Sequence, residues 1–126
     1  MRHLDVGIVG AGIGGLAAAA LLAQAGHRVT LAERFAEPRP LGSGLVVQPV
    51  GLAVLNALGA GETLRALAAP VGRGRGHAGR RVVLDVSYPT HAPGLATHRA
   101  TLFSVLWEAM TAAGVTLRTG AAVTGF

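Results

Sequence analysis

Residues 4–9, Leu-Asp-Val-Gly-Ile-Val, form a short apolar run of the length expected for a buried strand. Gly10 to Gly15 interrupts it with a glycine turn. Ile13 to Ala25 then strings together strong helix formers, Ala and Leu, with no proline. Gly26 is a natural C-terminal stop, and His27 leads into a second strand over Arg28–Ala32. Strand, helix and strand together fill about 30 residues, the size of one βαβ unit. A right-handed crossover makes its two strands parallel.

Beyond Glu33 the pattern weakens. Pro38 and Pro40 mark a loop, and Leu45–Val47 is a short strand. Val50–Leu58 reads as a helix with Pro49 at its start and Gly59 after its end. A shorter helix is expected over Glu62–Leu67, a Gly/Arg loop over Pro70–Gly79, and a strand over Arg80–Val86. Loop then runs through Pro89 and Pro93. Thr101–Ala113 is the last helix, with Leu102, Val105, Leu106 and Ala109 as its apolar stripe and Gly114 ending it. Val115–Leu117 is a strand, and Ala121–Phe126 reads as the start of another. The chain shows no internal repeat and no interdomain linker.

Composition narrows the class. The chain has 126 residues, 51% of them hydrophobic and 4% aromatic. A core rich in Ala, Val and Leu suits helices packed on a parallel sheet. The formal net charge is +5, and every basic side chain is Arg. These arginines are scattered rather than gathered on one stripe, so no nucleic-acid partner is expected. The one dense run, Arg73, Arg75, Arg80 and Arg81 with His77, reads as a solvated loop and strand edge.

There is no Cys, which excludes disulfides, thiolate metal sites and a Cys nucleophile, and fits a cytoplasmic protein. No two His residues have metal-like spacing, so no metal is expected. Ser43, Ser87 and Ser104 stand in no nucleophile-elbow context, and the catalytic residues stay unassigned. Arg2 and His3 before an apolar stretch, with Ala23-Gln24-Ala25 beyond, have some look of a signal peptide. Asp5 and the crowded glycines argue against it. A membrane span needs roughly 20 continuous apolar residues, which this glycine-broken stretch lacks.

The chemistry lies in Gly10-Ala11-Gly12-Ile13-Gly14-Gly15, a G-x-G-x-x-G between a strand and a helix. Gly10 permits the sharp exit from the strand. Gly12 lacks a Cβ, so backbone can approach a pyrophosphate. Gly15, with small Ala18 and Ala19 on the next turn, lets the helix pack closely. The helix N-terminus, with Ile13 and Gly14 in its first turn, turns unpaired N–H groups and a partial positive charge toward the phosphates. Glu33 closes the second strand about 20 residues on, where a carboxylate accepts hydrogen bonds from a ribose. An acid there disfavours a 2′-phosphate. These features specify an α/β fold with a Rossmann-like βαβ dinucleotide-binding unit. NAD and FAD remain equally compatible with them.

Three further segments carry a resemblance: Glu33-Arg34 after the second strand; Leu41-Gly42-Ser43-Gly44-Leu45-Val46-Val47-Gln48-Pro49 followed by Leu52, Leu55, Leu58 and Gly59; and His98-Arg99-x-x-Leu102 with Leu106 beyond. In order and spacing the chain resembles the FAD-dependent monooxygenases of the aromatic-hydroxylase type, which include p-hydroxybenzoate, salicylate and ubiquinone-pathway hydroxylases. The resemblance implies FAD as cofactor. It also implies an enzyme that hydroxylates a small, often aromatic substrate with NAD(P)H and O2. It places Glu33 on the ribose, Arg34 along the adenine or pyrophosphate side, and Arg99 at the ribityl-pyrophosphate region. The resemblance also implies that backbone around Gly42–Gly44 passes near the flavin. An Arg fork suits phosphate, and Arg99 at a helix start opposes the macrodipole, a mild penalty that favours a ligand role. Val50 stands after Pro49 where many members have Asn.

The later Asp-Gly and Gly-Asp-Ala segments of that family do not occur here. Residues 1–126 are therefore expected to be the N-terminal part of a FAD-binding domain, an incomplete first half, with parallel strands in the order third, second, first. Such a chain is expected to bind FAD weakly or not at all and to aggregate through exposed edges; tight stoichiometric FAD on purified 1–126 is the result that refutes this. The rival readings are a NAD-binding dehydrogenase fragment and a non-catalytic truncated remnant.

Overall fold

The computed structural model describes residues 2–40 and 42–125. Its strands are β1 (Asp5–Val9), β2 (Arg28–Ala32), β3 (Gly44–Val47), β4 (Ala69–Val71), β5 (Arg73–Ala78), β6 (Arg81–Ser87), β7 (Gly94–His98) and β8 (Thr116–Arg118). The helices are α1 (Ile13–Gln24), α2 (Pro49–Ala57), α3 (Gly61–Leu67) and α4 (Arg99–Ala112).

A three-stranded parallel sheet runs in the order β1-β2-β8. With β8 as its third strand, it has the expected third, second, first order. Strand β1 pairs with β2 from Asp5↔Arg28 to Val9↔Ala32. The period-2 alternation of β2 sends Val29 and Leu31 into the core. Helix α1 lies against this sheet and α4 packs on α1. Leu16 of α1, Leu31 of β2, Leu64 of α3 and Leu106 and Met110 of α4 are fully buried where these elements meet.

A second sheet, β3-β7-β4, is antiparallel, and β5-β6 is a separate hairpin. Here the structure departs from expectation. Pro70–Gly79 is not a loop: it holds β4 and β5. Pro70 is tolerated because β4 is an edge strand, where one missing N–H costs no ladder bond. Strand β7 is the central strand of its sheet, although its Gly-Leu-Ala-Thr-His sequence carries little β signal. Residues 121–125 form no strand. At their start the Ala121 N–H donates to the Glu33 carbonyl at 2.9 Å. Phe126, at the end of that expected strand, and Leu41 lie outside the described residues.

The hairpin separates charge from apolar surface. Arg73 and Arg75 oppose Ser87 and Asp85 on one face, while Gly74 and Gly76 oppose Val86 and Leu84 on the other. Arg73 grips Asp85 through two hydrogen bonds of 2.7 and 2.6 Å. The whole of β6 is exposed. Both hairpin edges are unpaired among the described residues, the arrangement that invites edge-to-edge association. Leu84→Lys, at a position 53% exposed, should reduce self-association in light scattering at high concentration while leaving the melting temperature unchanged. Unchanged association would locate the sticky surface elsewhere.

Candidate functional site

The glycine turn is built as strain-free geometry requires. Gly10 has φ +95°, a conformation that L side chains rarely adopt. Its N–H donates to the Ala32 carbonyl at 2.7 Å, which ties the start of the turn to the end of β2. A Cβ on Gly15 would stand 1.9 Å from the Gly10 carbonyl oxygen. The close approach there is between the helix and the turn's own first residue. Gly12 and Gly14, in contrast, face open space: a Cβ on either would meet nothing within 4 Å. Helix α1 starts after Gly12 with no side-chain cap and no acid in its first turn. Its first N–H groups are therefore free to meet an anion.

Glu33 follows β2 and is buried, 7% exposed. The Ala11 N–H donates to its Oε2 at 2.7 Å and the Phe35 N–H to its Oε1 at 3.0 Å. The hydrogen bond from Phe35 and then that from Ala11 hold its pKa below the usual Glu value, against the opposing effect of burial. Glu33 is thus an ionised acceptor. A carboxylate offers about four lone-pair sites, so its backbone donors leave it acceptor capacity toward the cleft. Its bond to Ala11 also braces the glycine turn, a second duty that sequence spacing alone does not reveal.

A cleft of about 190 Å³ joins these groups. Ala11, Gly12, Ile13 and Glu33 line one part of it; Phe35, Pro38, Arg39 and Pro40 from the loop after β2 and Arg99 and Phe103 from α4 line the rest. Four of the expected site residues meet the cleft or its floor directly: Gly12, Ile13, Glu33 and Arg99. Gly10, Gly14 and Gly15 shape the turn behind it. Arg99 packs on Gly42, whose Cβ would fall 3.2 Å from its Cδ, and its N–H donates to the Ser43 carbonyl at 2.9 Å. Arg99 makes no ion pair among the described residues.

Two expected residues stand elsewhere. The Arg34 guanidinium lies over the Phe35 ring, 4.7 Å from its centroid. Gly44 lies on β3, beside Leu45, Ala96 and Thr97 at a separate surface depression. The sequence does not single out Arg39, Phe35 or Phe103. Arg39 looks like a loop arginine and Phe103 like part of a helix core, and only tertiary packing brings them to the cleft.

The residues fit a dinucleotide. A side-chain-free cradle at a helix N-terminus, an arginine with no carboxylate partner among the described residues and a buried ionised acid match diphosphate and ribose in turn. Residues 3–126 match the family of the FAD binding domain. The chain belongs to that family. Its cofactor is FAD, which decides the choice the βαβ unit left open.

The chain is 40% identical over 118 residues to a 2-heptyl-3-hydroxy-4(1H)-quinolone synthase of Mycobacteroides abscessus, covering 91% of this chain and 32% of that protein. It is 54% identical over 63 residues to the phenazine 1,6-dicarboxylic acid hydroxylase PhzS of Lysobacter antibioticus, covering 49% of this chain and 16% of that protein. The solved structure of the tetrameric form of 2-methyl-3-hydroxypyridine-5-carboxylic acid oxygenase superposes on 95% of this chain and 32% of its own, with a TM-score of 0.81 and 26% identity. The FAD-domain chain thus spans about a third of the length of those two relatives that it matches over nearly all of its own length. Among the described residues no helix is long and apolar enough to cross a membrane.

Proposed function

We propose that residues 1–126 are the N-terminal part of the FAD-binding domain of a monooxygenase. In the whole protein, NAD(P)H would be the reductant, O2 the oxidant, and a small, often aromatic molecule the substrate. The observation that carries this reading is the cleft that joins the open glycine cradle, buried ionised Glu33 and Arg99. The names of the relatives, a hydroxylase, a synthase and an oxygenase, support the reaction class.

Within the cleft, the N–H groups of the first α1 turn, around Gly12, Ile13 and Gly14, would hold the pyrophosphate. Gly10 and Gly15 keep the turn in the shape that aims them. Glu33 would accept the ribose hydroxyls and reject a 2′-phosphate by charge. Arg99 would bind phosphate or ribityl oxygens. Arg34 would reach the adenine side by leaving Phe35, and Gly44 would meet the flavin end from β3. Bound FAD would supply the two-electron and oxygen chemistry, while this chain binds and orients it. A cytoplasmic location suits a cysteine-free flavoenzyme chain.

The test is titration of FAD into the purified chain, followed by flavin fluorescence anisotropy. Expected is weak, saturable binding that ADP competes away and 2′-phospho-ADP does not. A preference for NAD over FAD, or binding that 2′-phospho-ADP competes away as well as ADP does, would overturn the reading. In a longer polypeptide that carries this sequence, an aromatic acid should accelerate FAD-dependent NAD(P)H oxidation with O2 uptake.

A further inference from the structure

We propose that the cavity between α2 and α3 binds a small carboxylic acid with an apolar body, anchored by Arg65. None of the residues lining this cavity lines the FAD cleft. The site therefore stands apart from the cofactor and goes beyond the monooxygenase reading.

The cavity measures about 470 Å³, inside the range of roughly 300–1,000 Å³ that small-molecule sites occupy. Helix periodicity builds one wall. Pro49, Leu52, Ala53 and Asn56 are spaced as i, i+3, i+4 and i+7 and share one face of α2. Arg65 in the last turn of α3 and Ala68 just after it form a second wall. Pro70 of edge strand β4 and residues 91–93 of the loop before β7 complete the rim. Leu52 and Leu95 are the buried members of the lining. Its polar side chains are Asn56, Arg65 and His91, and no carboxylate is among the lining residues. An acid entering this cavity exchanges water for apolar walls at one end and hydrogen-bond donors at the other.

Asn56 and Arg65 are brought together over Gly61. A Cβ on Gly61 would stand 1.9 Å from the Asn56 Oδ1 and 3.3 Å from the Arg65 Nη1. Only glycine at the start of α3 lets the two side chains lie there side by side. With Oδ1 against Gly61, the Asn56 Nδ2 donor lies on the other side of the amide. Arg65 donates through Nη1 to Glu62, whose side chain is 89% exposed. A guanidinium carries five N–H donors in a fixed fork that matches a carboxylate, so this one bond leaves most of them unused. His91 adds a ring N–H. One permanent cation flanked by neutral donors and apolar walls suits a monocarboxylate better than a doubly charged phosphate.

Benzoate is the probe. Acetate carries its charge without the ring, and benzamide its ring without the charge. Binding of each to the purified chain is followed by saturation-transfer difference NMR. Benzoate should bind saturably with a dissociation constant of about 1 mM, as expected of a fragment with one charged anchor. Acetate and benzamide should each bind roughly tenfold more weakly. Saturating ADP should not displace benzoate, because the two occupy different cavities. Arg65→Gln should weaken benzoate about tenfold and leave ADP binding unchanged. Should Arg65→Gln prove unfolded by circular dichroism, Ala53→Phe fills the cavity from an exposed helix position and should abolish benzoate binding. Absence of saturable benzoate binding, displacement of benzoate by ADP, acetate or benzamide binding as tightly as benzoate, or a benzoate affinity untouched by either folded variant overturns the site. Each of these leaves the FAD reading standing. A chain that takes 2′-phospho-ADP as readily as ADP overturns that reading and leaves the carboxylate site in place.

Discussion

Gly15→Ala should unfold much of the phosphate turn, while Gly14→Ala, one residue earlier, should leave the fold intact. The added methyl at residue 15 would sit 1.9 Å from the Gly10 carbonyl oxygen and 3.1 Å from its carbon. Neither atom belongs to a flexible side chain. Gly10 is held at φ +95° and by its 2.7 Å bond to Ala32, so it cannot retreat without detaching the turn from β2. Overpacking a tight site costs about 1–3 kcal/mol and occasionally more. The upper end applies where backbone must move, so about 3 kcal/mol is expected, out of a domain stability of about 5–15 kcal/mol. That is a fall of roughly 10 °C in melting temperature for a chain of this size. Binding of FAD should be lost with it. At residue 14 a Cβ meets nothing within 4 Å, and replacing a helical glycine with alanine favours the helix by up to about 1 kcal/mol. Paired thermal melts of the two variants check this. Equal melting temperatures would mean that the turn relaxes freely and that Gly15 is not a packing requirement.

The second large effect concerns Glu33. Glu33→Ala deprives the Ala11 and Phe35 N–H groups of their acceptor at once. Ala11 is 4% exposed, so water does not readily replace the lost bond there. Leaving a buried donor unsatisfied costs about 1–3 kcal/mol. The turn should loosen, and FAD affinity should fall about a hundredfold, because the ribose acceptor and the brace of the cradle go together. The acid dependence follows from the lowered pKa of Glu33. A carboxyl whose folded pKa lies below its unfolded value, about 4.3, contributes stability above that value. The contribution is lost as pH falls through the folded pKa. The unaltered chain should therefore lose stability on acidification more steeply than Glu33→Gln. Asp5 and Asp85 also have lowered pKa values, through hydrogen bonds to Arg28 and Arg73 respectively, and they contribute equally to both curves. Parallel acid-melting curves would show that Glu33 is not an ionised brace.

The parts of this fold that local pattern carries are legible in the sequence. The β1-α1-β2 unit follows from one change of period around a glycine turn, and β2 lies at Arg28–Ala32 as that pattern predicts. Strands β5 and β7 are not legible, because their stability comes from partners distant in sequence. Arg-Gly-Arg-Gly is a strand only because β6 lies beside it, and Gly94–His98 only because β3 and β4 flank it. The site divides the same way. Glycines and Glu33 stand at spacings set by a local motif. Phe35, Arg39 and Phe103 reach the cleft through the loop after β2 and the placement of α4, which no period encodes.

Residue 33 is also a knot in the main chain. Its N–H donates to the Arg118 carbonyl at 2.8 Å, its carbonyl accepts from Ala121 at 2.9 Å, and its side chain reaches Ala11. One residue thus fastens the glycine turn to the segment that follows β8. A disturbance near residues 118–121 would reach the Glu33 carboxylate and the glycine turn through these hydrogen bonds without crossing the hydrophobic interior. The shape of the glycine turn thus depends on residues 118–121 as well as on the glycines themselves.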